Sequence, residues 1–136
     1  MEASSMRPWG LAILRIIVGI VFLMHGSQKL FTFGFHGVAG MFAHMGVPLP
    51  AVFAVVVTLV EFLGGIALIL GLGTRVAAAL LATDMTVAIL LVHAKHGFFA
   101  QGGGVELPLT LLAASVCLML AGSGALSVEW FLGSRA

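Results

Sequence analysis

The sequence predicts an all-α protein, a four-helix transmembrane bundle with a short interfacial helix between its first and second spans. Three observations carry that expectation. Apolar residues fill four stretches, at about residues 9–31, 50–71, 75–93 and 105–122, each near the roughly 20 residues that a helix needs to cross a bilayer. Charged residues make up 8% of the chain and hydrophobic residues 61%, whereas soluble domains carry charge on about a quarter of their residues. The link between the first two stretches, TFGFHGVAGMFAHMGVPLP, is too broken by glycine to be a span. It still repeats Val38, Met41, Phe42 and Met45 at helical spacing. With 136 residues, the expectation is a single transmembrane domain over 1–136.

The first stretch, LRIIVGIVFLMHGSQKLF from Leu14 to Phe31, is the one that concentrates polar groups. At about 100° per residue, with Arg15 at zero, Phe22 falls near −20°, Gly26 near +20°, Gly19 near +40°, Lys29 near −40° and His25 near −80°. Gln28 lies on the flank. Such a face is costly to turn toward lipid, so it is expected to meet the other helices. Only Arg7 is basic at the N-terminus and Arg15 interrupts the apolar run, which favours a retained first span over a cleaved signal peptide.

Pro48 and Pro50 mark the start of the second span, which holds one charge, Glu61, with Gly65 one turn further along the same face. A neighbouring backbone can approach closely there. Gly71, Gly73 and Thr74 end this helix and Arg75 opens the next, so the second and third helices form an antiparallel hairpin. The third span carries Asp84 and ends in His93-Ala-Lys95-His96. On an ideal helix His93 is about 180° from Asp84, so either the last turn unwinds and both face the bundle centre, or the two line different surfaces. In the fourth span Glu106, Thr110, Ala113, Cys117 and Ala121 form a small and polar stripe that reads as bundle-facing. The tail ALSVEWFL is amphipathic, and its Trp130 suits the interface.

An even number of spans gathers Arg7, Arg75 and Arg135 on one face against Lys29 and Lys95 on the other, which favours cytoplasmic termini. Two layers of polar groups follow. His25, Lys29, His93, Lys95, His96 and Glu106 gather at the outer surface, while Arg15, Glu61 and Asp84 lie deeper, at roughly 9, 15 and 13 Å from the inner end of their spans. An ion-pair network of Arg15, Glu61 and Asp84 is the structural reading of the deeper layer, and a carboxyl that carries protons is the functional one.

For the outer layer, interfacial anchoring competes with chemistry. Imidazoles and lysine can hydrogen-bond and protonate the oxygens of a quinone or phenolic headgroup. The cofactor-binding candidates are His25, Gln28, Lys29, Glu61, His93 and His96, of which His25, Lys29, Glu61 and His93 are also candidates for catalysis. His25, His93, His96 and Glu106 are the weaker metal candidates, and the Met41-Phe-Ala-His44-Met45 run invites copper but fits packing better. The single cysteine excludes an intrachain disulfide. A net charge of +1 offers no basic patch, so nucleic acid is not an expected partner. No Rossmann fingerprint or P-loop is present, so hydride or phosphoryl chemistry would need a partner.

The pattern LRxxxGxxFLxHGxQKLF at Leu14–Phe31, with EFLGGIALILGLGTR at Glu61–Arg75, VHAKHGFF at Val92–Phe99, GGGVELPL and a closing SVEWFL, resembles the DoxX family of small bacterial inner-membrane proteins. The resemblance spans nearly the whole chain. It implies a four-helix protein of the cytoplasmic membrane, with relatives that are subunits of a thiosulfate:quinone oxidoreductase or are associated with catechol and quinone stress. The positions that match are Arg15, His25, Gly26, Lys29, Glu61, Gly64, Gly65, Arg75, His93, His96, Gly97 and Glu106. The family brings no settled catalytic assignment, so the roles of these residues rest on the physical reading. The expected function is a subunit or accessory of a quinone-linked membrane redox system that binds a quinone-like molecule between helices. A non-catalytic scaffold of a redox or stress complex and a metal-binding or metal-transport protein are the alternatives. The lipid bilayer, redox subunits and a second copy of the chain are the expected partners.

Overall fold

A computed structural model of the chain describes residues 3–133; Arg135, counted above toward the inner face, lies outside the described residues. The order of elements is α1 (Ala3–Ser27), α2 (Gly34–His44), α3 (Pro50–Leu70), α4 (Thr74–Ala88), α5 (Glu106–Ala121) and α6 (Val128–Phe131). No strand occurs among the described residues. The first helical run, α3 and α4 with its extension to His96 are long and apolar enough to cross a membrane, and α5 is a shorter apolar helix. Only about a third of each long helix is buried. Ile13, Ile17, Val52, Leu63, Val76 and Leu80 all face outward, as apolar residues do when the solvent is lipid.

α1 begins earlier than the expected residue 9, with Pro8 inside it. The proline costs one helix bond in the second turn, and its carbonyl accepts from Ala125 N at 2.9 Å. After Ser27 the helix widens into a π turn, Gln28–Phe33, and Gly34 then breaks it with φ +72° and ψ 165°. No side chain sits comfortably at that φ, so glycine is what lets the chain leave α1 and start α2. α2 packs on α3 through a face that buries Val38.

α1 lies along α3, and α4 along α5, with a short turn between α3 and α4 that makes them neighbours. The α1–α3 contact is backbone on backbone. A methyl group at Gly65 would lie 2.5 Å from Leu23 N and 2.8 Å from Gly19 O, and one at Gly26 would strike the backbone of Phe62. Glycine at these positions lets the two helices approach more closely than any other residue allows. Val18, Phe22, Leu68, Leu81, Met85, Leu111 and Leu118 fill the space between the four long elements.

α5 corrects the expected stripe. Its buried residues are Pro108, Leu111, Ser115 and Leu118, whereas Thr110, Ala113, Cys117 and Ala121 are exposed. Small and weakly polar side chains are cheap enough against lipid that the larger apolar side chains win the core. Cys117→Leu is therefore expected to shift stability by no more than about 0.5 kcal/mol, as for other surface positions. Thermal unfolding in detergent checks it, and a large loss would return Cys117 to the interior.

At 16 residues, α5 is about 24 Å long, short of the roughly 30 Å hydrocarbon core. The irregular backbone that follows it, residues 122–127, must be paired by protein wherever it lies below the headgroups. Arg15 does this. Its Nη1 donates to Ser123 O (2.6 Å) and Ala125 O (3.2 Å), and its Nη2 to Leu126 O (2.8 Å). Leu126 is held at φ +51°, a conformation a branched side chain rarely adopts. Arg75 Nη1 donates to Leu120 O at 3.2 Å, which places a cation at the carbonyl end of α5, while Arg15 serves the loop beyond it. α6 closes the same end: Thr74 N donates to Glu129 Oε1 (2.6 Å) and Glu129 N to Gly71 O (3.1 Å).

Candidate functional site

A cavity of about 330 Å³ opens between α1, α2, α3, α4 and the first turns of α5. Phe22, Met41, Phe42, Val57, Met85 and Leu111 give it apolar walls, and His25, Lys29, Glu61, Asp84 and His93 bring the ionisable groups. Its volume falls at the small end of ligand pockets, which run from about 300 to 1,000 Å³, and suits a single-ring headgroup.

Lys29 and Glu61 form the ion pair of this site, Nζ to Oε1 at 2.8 Å, with Glu61 almost completely buried. No other ion pair is found among the described residues. The Asp84 carboxyl lies within hydrogen-bonding reach of that of Glu61, and Lys29 is near enough to act on it electrostatically. Asp84 Oδ2 is buried with no N–H or O–H donor.

The expected Arg15–Glu61–Asp84 network is thus split. Glu61 and Asp84 do come together, but Lys29 supplies the cation, and Arg15 is committed to backbone carbonyls at the other end of α1. Helical angle put Arg15 and Lys29 on one face, yet they stand 14 residues apart, about 21 Å along an α-helix. Two cations at opposite ends of one stripe meet different layers of the protein.

The imidazoles are oriented by carbonyls. His25 Nδ1 is 2.9 Å from Val21 O, one turn back on α1, and His93 Nδ1 is 2.7 Å from Gly103 O in the loop before α5. A carbonyl only accepts, so Nδ1 is the donor in both rings and Nε2 carries the lone pair in the neutral form. Each ring keeps one nitrogen that can accept a proton from a ligand, or donate one after protonation.

Two π turns bring these groups together; the angular conflict of His93 with Asp84 signals the second, and the first leaves no sign in the sequence. Gln28–Phe33 widens the end of α1 at Lys29, and Ile89–His93 extends α4. A π turn takes about one residue more than an α turn. His93 is therefore carried back around the axis, which removes the conflict with Asp84: both line the cavity.

Other candidates are placed elsewhere. Gln28 and His96 are exposed and do not line the cavity. Glu106 Oε2 accepts from Ala100 N at 2.9 Å and so holds the glycine-rich loop, and Lys95 Nζ reaches Met45 O at 3.4 Å. Among the described residues no three His, Cys, Asp or Glu side chains are grouped to hold a metal, so His25, His93, His96 and Glu106 do not make a common ligand set. Met41, Phe42 and Met45 serve as cavity wall, and His44 is exposed beside them. Their spacing along α2 was the available signal, and it marks an apolar face without saying what that face covers.

An all-helical membrane protein whose helices enclose a mainly apolar cavity, with a lysine, two carboxyls and two imidazoles in its wall, is the class that fold and site define. The chain belongs to the DoxX family, whose profile matches residues 10–94. All five ionisable residues of the cavity lie inside the matched region. The chain is 35% identical over 124 residues to the protein named "Putative oxidoreductase CatD" of Bacillus subtilis, covering 90% of this chain and 87% of that one. It is 32% identical over 139 residues to "Uncharacterized membrane protein Rv3486" of Mycobacterium tuberculosis, covering 95% and 85%. It is 27% identical over 133 residues to "Inner membrane protein YphA" of Escherichia coli, covering 94% of each. No solved structure matches the chain.

Proposed function

We propose that this protein is a four-span, single-domain component of a quinone-linked redox system in the bacterial inner membrane, with both termini cytoplasmic and α2 lying at the outer interface. A quinone-like ring occupies the cavity. Lys29 donates to a ring oxygen, His25 and His93 accept through Nε2 from the hydroxyls of the reduced ring, and the Glu61–Asp84 pair forms the polar wall behind Lys29. The observation that carries this reading is a pair of imidazoles fixed by backbone carbonyls, each with Nε2 left to accept from a ligand hydroxyl, in an apolar cavity of about 330 Å³. A relative named as an oxidoreductase supports it.

The chemistry a bound quinone supplies is two-electron, two-proton redox, with electrons coming from a partner redox subunit. This chain contributes binding, orientation and charge. Phe22, Met41 and Met85 exclude water around the ring, and the Lys29 ammonium offsets negative charge that develops on a ring oxygen. The imidazoles set which edge of the ring faces the polar wall.

His25→Ala removes one ligand hydrogen bond without touching the helix contacts. It is expected to weaken binding of decylubiquinol to the purified protein about tenfold, as the loss of roughly 1.4 kcal/mol does, while expression stays normal. Equilibrium binding in detergent checks this. Unchanged affinity would favour the scaffold reading, in which substitutions at Glu61 or Arg15 abolish complex assembly and His25 is indifferent.

A further inference from the structure

Lys29, Glu61 and Asp84 set a charge count that the rest of the site does not complete. One ammonium faces two carboxyls, and it pairs with Glu61 at 2.8 Å. Asp84 Oδ2 is buried and meets no N–H or O–H donor, while the carboxyl within its reach is that of Glu61. Two ionised carboxyls are acceptors only, so they form a hydrogen bond to each other only when one carries a proton. Like-charged carboxyls in contact otherwise repel strongly in a low dielectric.

Among the described residues that line the cavity, Lys29 is the one lysine or arginine. From α1, His25 faces the site with Nδ1 already donated to Val21 O. From the end of α4, His93 is tied to Gly103 O. α2 contributes Met41, Phe42 and Met45, and α5 contributes Leu107, Pro108 and Leu111, with Glu106 engaged by Ala100 N.

We infer that the Glu61–Asp84 pair stores a single proton in the cavity wall and gives it to an oxygen of the bound ring, with Lys29 as the positioning residue that fixes Glu61. This rests on the proposed binding of a quinone-like molecule and assigns its proton source. In the transfer an O–H bond at the carboxyl pair breaks, and one forms at a ring oxygen that has gained electron density from the partner redox subunit. The pair is left as two carboxylates beside Lys29, and water at the mouth of the cavity restores the proton. The second proton of a two-electron reduction comes from the mouth as well, on the side of His93.

The stored proton can be read without turnover. Infrared spectra of the purified, ligand-free protein in nanodiscs are expected to show the carbonyl stretch of a protonated carboxylic acid at neutral pH, shifted by exchange into heavy water. Asp84→Asn and Glu61→Gln should each remove it, and Glu106→Gln should leave it intact. In time-resolved spectra, reduction of bound decylubiquinone by dithionite should bleach the band in the native protein transiently, until water restores the proton. A native protein without the band, or a band that survives both Asp84→Asn and Glu61→Gln, overturns the stored proton. A band unmoved by reduction of the bound ring overturns the delivery. A band present in a protein that does not bind decylubiquinone refutes the quinone reading, and delivery with it, while leaving a shared proton as a purely structural lock.

Discussion

Replacing Arg15 by methionine is expected to cost about 3–5 kcal/mol of stability, the largest effect of any single polar substitution in this chain. The guanidinium is fully buried and satisfies three backbone carbonyls, Ser123 O, Ala125 O and Leu126 O. Methionine fills the volume and satisfies none, and each buried acceptor left without a donor costs about 1–3 kcal/mol. Leu126 would also lose the bond that holds it at positive φ. Arg15→Lys is expected to recover only part of the loss, because one ammonium lacks the planar fork that reaches Ser123 and Leu126 together. Unfolding in detergent, followed by circular dichroism, checks both variants. If Arg15→Met unfolds at the native midpoint, the carbonyls of residues 123–126 have other donors and the account of this end of the protein is wrong.

The second large effect is at the α1–α3 crossing. Gly65→Val puts a branched side chain where a single methyl would already lie 2.5 Å from Leu23 N. Backbone cannot move aside as a side chain tip can, so the helices must separate. Overpacking of this kind costs about 1–3 kcal/mol and occasionally more. The separation also pulls Lys29 from Glu61, so ligand binding should fall together with stability. Gly40→Val is the control, since a methyl there meets nothing within 4 Å. Gly64→Ala is intermediate, because its methyl meets only the Leu81 side chain, at about 3.1 Å. Equal midpoints for the Gly65 and Gly40 variants would mean that the two helices are not packed backbone to backbone.

These two sites show how far a linear reading reaches. Apolar length alone marks four stretches, and α1, α3, α4 and α5 occupy them, with ends that differ by a few residues where Pro8 and the π turns intervene. Periodicity alone also identifies the glycine-lined face of α1 and the glycine next to Glu61, because a close crossing needs small residues at fixed angles. The stripe on α5 fails for a related reason. Periodicity shows that Thr110, Ala113 and Cys117 share a side of the helix, but lipid and protein interior are both apolar, so it does not show which of them that side faces.

The sequence by itself determined that this protein lives in a membrane and that Arg15, Lys29, Glu61 and Asp84 lie on inward faces, since composition and helical angle follow directly from residue order. Tertiary structure alone decided the partners. Arg15 meets carbonyls more than a hundred positions away, and a backbone acceptor leaves no mark on residue type. Lys29 meets Glu61, and His93 joins Asp84, only where π turns shift their side chains around the helix axis. A helix turned by one residue costs little locally, and packing against its neighbours selects the turn.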